Sequence, residues 1–454
     1  MLFWRSYGIA EFRLLPVLSL LAQSVIAETG NVTSFELGNG LQGVVIEDHR
    51  APVVTHMVWY RVGSADEPAG YTGVAHFLEH LMFKGTKTLK PGEFSKIVKE
   101  NGGVGNAFTS YDYTGYFQRV AVDRLPLMMQ LEADRMRNLV LAEEDVSTER
   151  NVVIEERRSR VDSDPNSQFQ EQRRAVMFLN HPYRNPVIGW QHEIEALNRE
   201  NVLSFYKTFY APNNAILVVA GDVYPHEVKT LAEKYFGVLE PSDNIPPRVR
   251  PKEPPHLAPV TLTFSDIRQT QPYLIRSYQA PKRQSGNQKE AAALVMLAQL
   301  LGGSGLSSVM GQKLQLEQKI AVASSAWYDS VSYDPETFGL YAMPRPGVEM
   351  DDLVTAVDKV LAEFLEIGVD ADHLARLKVQ IAAEEIYKLD DQSSVARTYG
   401  MALTAGLTVE DVQGWSQILQ EVTEEDIMKV AHKVLNIKQS VTGLMLAPQT
   451  EGAL

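Results

Sequence analysis

Asp123–Glu156, DRLPLMMQLEADRMRNLVLAEEDVSTERNVVIEE, matches in pattern Asp351–Glu385, DDLVTAVDKVLAEFLEIGVDADHLARLKVQIAAEE, and each reads as helix, break, helix. Outward from this pair the two halves of the chain stay in step. On the amino-terminal side each opens with alternating, β-branched runs, Leu41–Glu47 and Val53–Val62 in one, Val260–Phe264 and Tyr273–Tyr278 in the other. A period of two is the signature of strands. Each half then enters an apolar-periodic helix that ends near glycine, Ala75–Phe83 before Gly85 and Ala291–Leu301 before Gly302 and Gly303. On the carboxyl side a helix leads into an apolar strand, Val202–Tyr210 then Ala215–Ala220, and Asp426–Val434 then Ser440–Met445. Between the halves, Pro241–Pro259 carries seven prolines and reads as an extended linker. The expectation is an α+β chain of two similar domains related by duplication, each a mostly antiparallel sheet packed with helices. The domains are placed at 28–240 and 260–454, joined by the proline-rich linker at 241–259.

Composition narrows the chemistry. The chain has 454 residues, 44% of them hydrophobic and 22% charged, which suits a globular protein with sizeable cores. Its 43 Lys and Arg against 57 Asp and Glu leave a formal charge of -14, the wrong sign for a general nucleic-acid binder. There is no cysteine, which removes disulfides, thiolate metal sites and thiol nucleophiles together. Any metal must sit on His, Asp or Glu.

Met1–Ala27 places Arg5 and Arg13 ahead of the apolar run Leu14–Ile26 and closes on Ala27. A basic front, a short apolar core and a small final residue describe a secretory signal peptide, residues 1–27. Pro16 and the polar Ser19, Gln23 and Ser24 weaken the run as a membrane anchor. An exported protein without stable membrane insertion follows, most simply periplasmic in a bacterium.

The helix in the first half reads Ala75-His76-Phe77-Leu78-Glu79-His80-Leu81-Met82-Phe83. His76 and His80 fall one turn apart and about 40° apart in azimuth, so both imidazoles reach one metal ion. Glu79 projects from the next edge of that face, near enough to touch a metal-bound water, as a general base requires. The remaining residues are apolar, so the helix is buried and its imidazoles need partners. The equivalent helix of the second half has no histidine. Two histidines suit zinc, which takes a third protein ligand in catalytic sites. Without cysteine a carboxylate is the natural third. In Glu149–Glu156, Glu149 and Glu156 lie two turns apart on one face while Glu155 points about 100° away. One face thus offers a ligand and a further carboxylate to orient it, although by spacing alone a charged run on a helix is more often a solvated face.

Six segments carry a resemblance to a known family: NGLQGVVIEDHRAPVV (Asn39–Val54), GYTGVAHFLEHLMFKGT (Gly70–Thr86), GGVGNAFTSYDYTGY (Gly102–Tyr116), ERNVVIEE (Glu149–Glu156), HPYRNPVIG (His181–Gly189) and FYAPNNAILVVAGDV (Phe209–Val223). The chain resembles the inverzincin zinc peptidases, the family of pitrilysin, insulin-degrading enzyme and the mitochondrial processing peptidase, in its short two-domain bacterial branch. The resemblance implies a zinc metalloendopeptidase of the HxxEH type with one Zn2+ per chain. It makes His76, His80 and Glu156 the ligands, Glu79 the residue that activates water, and Glu149 an acid beside the site that does not ligate. It makes Asn106 and Ala107 part of an edge strand on which a peptide substrate lies as an added strand. The alternating Phe108, Ser110, Asp112 and Thr114 of that strand suit a plain sheet strand equally well. His181 and His192 are left outside the ligand set, with HPY as a turn.

The chain also departs from the family. Members complete in one chain carry an Arg and a Tyr after a Gly-Ser-rich turn in the later half. Here the turn GGSGLSS (Gly302–Ser308) is followed by Gln312–Ser325, with Gln315 or Leu316 at the Arg position and Val322 at the Tyr position. Neutral and apolar groups do not stabilise a developing oxyanion as a cation and a phenol do. The resemblance therefore implies the zinc-bearing subunit of a heterodimer whose homologous partner supplies the pair and completes a clamshell chamber. A homodimer is the alternative arrangement, and a non-catalytic structural or assembly subunit is the alternative function.

Overall fold

The computed structural model describes residues 32–303 and 305–447; the segment 1–27 read as a signal peptide lies outside the described residues. The first half contains strands β1 (Val32–Glu36), β2 (Gln42–Glu47), β3 (Val53–Tyr60), β4 (Gly85–Thr86), β5 (Val104–Thr109), β6 (Thr114–Ala121), β7 (Leu139–Val140) and β8 (Ala215–Gly221). Its helices are α1 (Val74–Leu81), α2 (Glu93–Glu100), α3 (Leu125–Asn138), α4 (Glu143–Arg157), α5 (Pro165–Met177), α6 (Gln191–Ala196), α7 (Arg199–Phe209) and α8 (Pro225–Tyr235). The second half contains β9 (Val260–Ser265), β10 (Tyr273–Ala280), β11 (Ala321–Tyr328), β12 (Glu336–Pro344) and β13 (Ser440–Leu446). Its helices are α9 (Lys289–Ala298), α10 (Met350–Ile367), α11 (Ala371–Lys388), α12 (Gln392–Thr404), α13 (Val409–Gln413), α14 (Trp415–Glu421) and α15 (Glu424–Val434). The two stretches paired by their sequence pattern, Asp123–Glu156 and Asp351–Glu385, are α3–α4 and α10–α11.

The fold is α+β with two like domains. The first sheet runs β1-β2-β8-β3-β6-β5 and the second β11-β12-β10-β13-β9. Both are antiparallel except for one parallel pair each, β2 with β8 and β9 with β13. Superposed in order, β5, β6, β3, β8 and β2 correspond to β11, β12, β10, β13 and β9, so the one parallel pairing recurs at the same place. The strand expected through Thr114 is instead broken: β5 ends at Thr109, and Ser110 to Tyr113 form the hairpin into β6, closed by Ser110 N–H donating to Tyr113 O at 2.8 Å. Alternation alone does not register a two-strand turn.

Strand alternation gives each sheet two apolar faces. Val45, Val58, Leu217 and Val219 face the first half's own helices, including α1. Val44, Met57, Trp59, Ile216 and Val218 face the other way and are covered by Ala396, Tyr399 and Leu403 of α12, which belongs to the second half. The exchange is reciprocal, since Phe169 of α5 packs with Tyr273, Ile275 and Met445 on the second sheet. Glycines permit both approaches: a Cβ on Gly400 would overlap the Trp59 ring, and one on Gly443 would meet Phe169.

The stretch 241–259 carries neither helix nor strand and is pinned between the halves. Arg250, its side chain 4% exposed, reaches Asp66 at 2.8 Å, Asp112 at 2.6 Å and Asp334 at 3.0 Å. Asp112 sits in the β5–β6 hairpin and Asp334 in the equivalent β11–β12 hairpin. Arg248 reaches Asp66 at 2.8 Å and lies over the Tyr333 ring. The Glu253 carboxylate accepts from the backbone N–H of Leu179, Asn180 and His181.

Candidate metal centre

Helix α1 is preceded by Gly73, whose φ of 88° lies in the left-handed region and where a Cβ would meet Ile188 O. The Glu67 carboxylate accepts from the N–H groups of Gly73 and Ala75, both at 2.9 Å, satisfying two donors at the helix start. Phe77, Leu78 and Leu81 are fully buried, which fixes the rotation of the helix and turns His76 and His80 to a common side. Their rings lie 4.8 Å apart between centroids.

Helix α4 passes alongside and brings in Glu156. His80 Nε2 lies 3.1 Å from Glu156 Oε2 and His76 Nε2 lies 3.9 Å from Glu156 Oε1. One donor atom from each of His76, His80 and Glu156 falls within 4.8 Å of the others. Ligands roughly 2 Å from a tetrahedral ion stand roughly 3.4 Å apart, and the two distances bracket that value. Glu149, two turns before Glu156, takes no place in this group. It accepts from His80 Nδ1 at 2.9 Å and is paired on its other oxygen with Lys84 Nζ at 2.5 Å. A carboxylate on Nδ1 fixes the tautomer that leaves Nε2 free for a metal. His76 Nδ1 is buried with no hydrogen-bond partner among the described residues. Two imidazoles and a carboxylate with one imidazole braced from behind is the donor set of a zinc site, so the residues present fit the ion.

The electrostatics separate the groups. Burial, reinforced by the neighbouring His80, pushes His76 down to about 4. Burial also opposes charge on His80, but hydrogen bonds to Glu149 and Glu156 carry it up to about 9. The bond from His80, aided by Lys84, holds Glu149 down to about 2. Glu79 points to the other edge of the face, 8% exposed, and burial raises it above the usual carboxylate range. Its Oε2 accepts from Thr109 Oγ1 at 2.5 Å. Arg160, one turn beyond Glu156, is exposed and ion-paired with it.

Asn106 and Ala107 lie in β5, one of the two edge strands of the first sheet, next to α1. His181 is elsewhere: it caps the short turn Pro182–Arg184 and its Nε2 donates to Asp334 at 3.1 Å. His192 is exposed. In the second half, Gln315 lies in the helical turn Gly311–Glu317 and its side chain bonds Ser324 Oγ at 2.8 Å. Leu316 and Val322 are about half exposed, at 45% and 46%. The nearby Lys313 is paired with Glu317, and the Tyr328 hydroxyl donates to Pro281 O. Sequence reasoning gave no role to Glu67, Lys84, Thr109 or Arg160. Only Lys84 and Arg160 had a readable signal, each one helical turn past a residue already singled out.

Comparison with known proteins finds two family models along the chain, "Insulinase (Peptidase family M16)" over residues 43–190 and "Peptidase M16 inactive domain" over residues 196–381. The zinc protease PqqE of Helicobacter pylori is 32% identical over 430 residues, covering 93% of this chain and 94% of that one. A probable mitochondrial-processing peptidase subunit beta of Schizosaccharomyces pombe is 30% identical over 416 residues, 88% of each. The crystal structure of a protease from Helicobacter pylori matches with a TM-score of 0.85 at 30% identity, over 92% of this chain and all of that one.

Proposed function

Because this chain belongs to the M16 insulinase family of peptidases, we propose that it is the catalytic subunit of a zinc-dependent endopeptidase, with His76, His80 and Glu156 as the ligands and Glu79 as the general base. The observation that carries this reading is the convergence of the three donor atoms within 4.8 Å beside a buried glutamate that is not part of the group. When bound, zinc supplies Lewis-acid polarisation of a peptide carbonyl and makes a water molecule acidic enough to react at neutral pH. The protein's share is positioning and proton transfer. Glu149 and Lys84 hold His80 in its ligating tautomer. Glu79 takes a proton from the attacking water and passes it to the leaving amine, while burial keeps its proton affinity close to what the task needs. The free N–H and C=O groups along β5 pair with an extended peptide as an added strand, with Asn106 and Ala107 in that edge. Selection then falls on unfolded or extended chains more than on particular side chains.

The site is completed from outside the chain in this reading. Gln315, Leu316 and Val322 offer neither the cation nor the phenol that an oxyanion calls for, and Lys313 and Tyr328 are engaged elsewhere. A homologous two-domain partner that carries them closes a chamber over the zinc. A non-catalytic assembly subunit would have no need of a complete donor set and an anchored base, and both are present. The segment 1–27 directs export, to the periplasm in a bacterial host; no described helix is long and apolar enough to cross a membrane. Zinc per chain and hydrolysis of an internally quenched peptide pool, measured on the protein alone and with candidate partner chains, test the reading. One zinc per chain, chelator-sensitive hydrolysis and a gain with the partner are expected. Absence of zinc overturns the ligand assignment, and equal rates with and without the partner overturn the two-chain site.

A further inference from the structure

Among the described residues, the one side chain that hydrogen-bonds to Glu79 is Thr109. The alternation of β5 explains why. Ala107 packs with the core that contains α1, whereas Phe108 turns to the opposite face, its ring centroid 4.9 Å from that of Trp59. A period of two returns Thr109 to the α1 side, where its hydroxyl donates to Glu79 Oε2 at 2.5 Å. Glu79 Oε1 has no protein hydrogen-bond partner among the described residues. Thr109 is itself held by the sheet, paired with Thr114 of β6. Burial excludes water from a carboxylate but does not choose its torsion, and a glutamate's terminal torsion is broad. A charge-assisted O–H···O bond to one oxygen does choose it.

We propose that Thr109 is a positioning residue that clamps one oxygen of Glu79 and presents the other to the metal centre. The proposal rests on the peptidase reading above. Thr109 keeps its proton throughout. The proton removed from water goes to Glu79 Oε1 and then to the amine nitrogen as the carbonyl C–O bond forms and the C–N bond breaks. Thr109 also belongs to the edge strand on which the peptide pairs, so one short piece of backbone sets the register of the base and of the substrate. A shift of β5 moves both together.

The test is Thr109→Val, isosteric and suited to a strand, beside Thr109→Ser, which keeps the hydroxyl. Each is purified as it assembles in the cell and assayed on the quenched peptide pool, with bound zinc counted in parallel. For Thr109→Val, kcat falls roughly tenfold to a hundredfold, part of the 10²–10⁴ that positioned proton transfer contributes. KM and zinc content stay within about twofold of wild type, the pattern of an interaction that acts only in the transition state. Thr109→Ser restores most of kcat. In a Glu79→Gln background Thr109→Val has no further effect, since the two act as one unit. Wild-type kcat in Thr109→Val overturns the proposal while leaving the peptidase reading in place. So does a loss that Ser fails to restore or that comes with loss of zinc. A wild-type protein that neither binds zinc nor cleaves the pool overturns both.

Discussion

Single residues carry most of what the protein does, and their behaviour follows from burial and from what faces them. Asp329, just after β11, is the clearest case outside the candidate metal centre. Burial, with the Glu336 carboxylate nearby, pushes it from an ordinary value near 3.8 up to about 6. The folded state therefore holds a proton that the unfolded chain has already released. Stability contributed by this group is full below about pH 3.8, falls as pH rises, and is level above about 6. Asp329→Asn removes that fall and raises the melting temperature at pH 7, as thermal unfolding between pH 4 and 7.5 would read out; an unchanged slope would locate the pH dependence elsewhere. At the candidate metal centre, His76 with His80 and Glu149 with Glu156 were legible because the members of each pair lie one or two helical turns apart. Glu67, six residues ahead of the helix start it caps, and Thr109, thirty residues from Glu79, were not. No local spacing marks a contact made by folding.

At the scale of elements, periodicity identified the strands, the helices and the duplication, because each buries one face or two by rule. It left open which sheet a helix covers. An amphipathic pattern in α12 or α5 is satisfied equally by its own domain or by the other, and the structure shows both crossing over. The junction is tight at Gly400 against Trp59. Gly400→Ala is expected to destabilise the fold by about 1–3 kcal/mol through overpacking, with zinc content unchanged. Denaturant unfolding measures this, and a neutral or stabilising result would mean that α12 is free to shift away from the sheet. The hairpin at Ser110–Tyr113 escaped the sequence for a related reason. Its Asp112 continues the strand alternation but is bound to Arg250 rather than set on a sheet face.

For the whole molecule, the proline-rich stretch does more than space two domains. Seven prolines explain why it forms neither helix nor strand, but not that Arg248 and Arg250 within it neutralise acids from both halves. Two of the acids that Arg250 meets, Asp112 and Asp334, come from the two equivalent hairpins, so this part of the seam follows the internal symmetry of the chain. Replacing Arg250 with Met takes away the buried cation shared by Asp66, Asp112 and Asp334, leaving Asp66 to Arg248, Asp334 to His181 and Asp112 without its closest cation. Removing one partner of a buried ion pair costs roughly 3–5 kcal/mol. The expected outcome is lower stability and protease cleavage near Val249, whereas wild-type resistance would show that the halves are held without the arginines. Such a seam ties the two domains together, so in the proposed two-chain chamber opening falls between chains rather than within this one.

Zinc content and peptide hydrolysis, measured together on Glu79→Gln, His76→Ala and Glu156→Ala, test the assignment of roles most directly. Glu79→Gln is predicted to keep one zinc per chain and lose hydrolysis by roughly 10²–10⁴, while His76→Ala and Glu156→Ala lose both zinc and hydrolysis. Equal zinc loss in all three, or wild-type hydrolysis by Glu79→Gln, would contradict it.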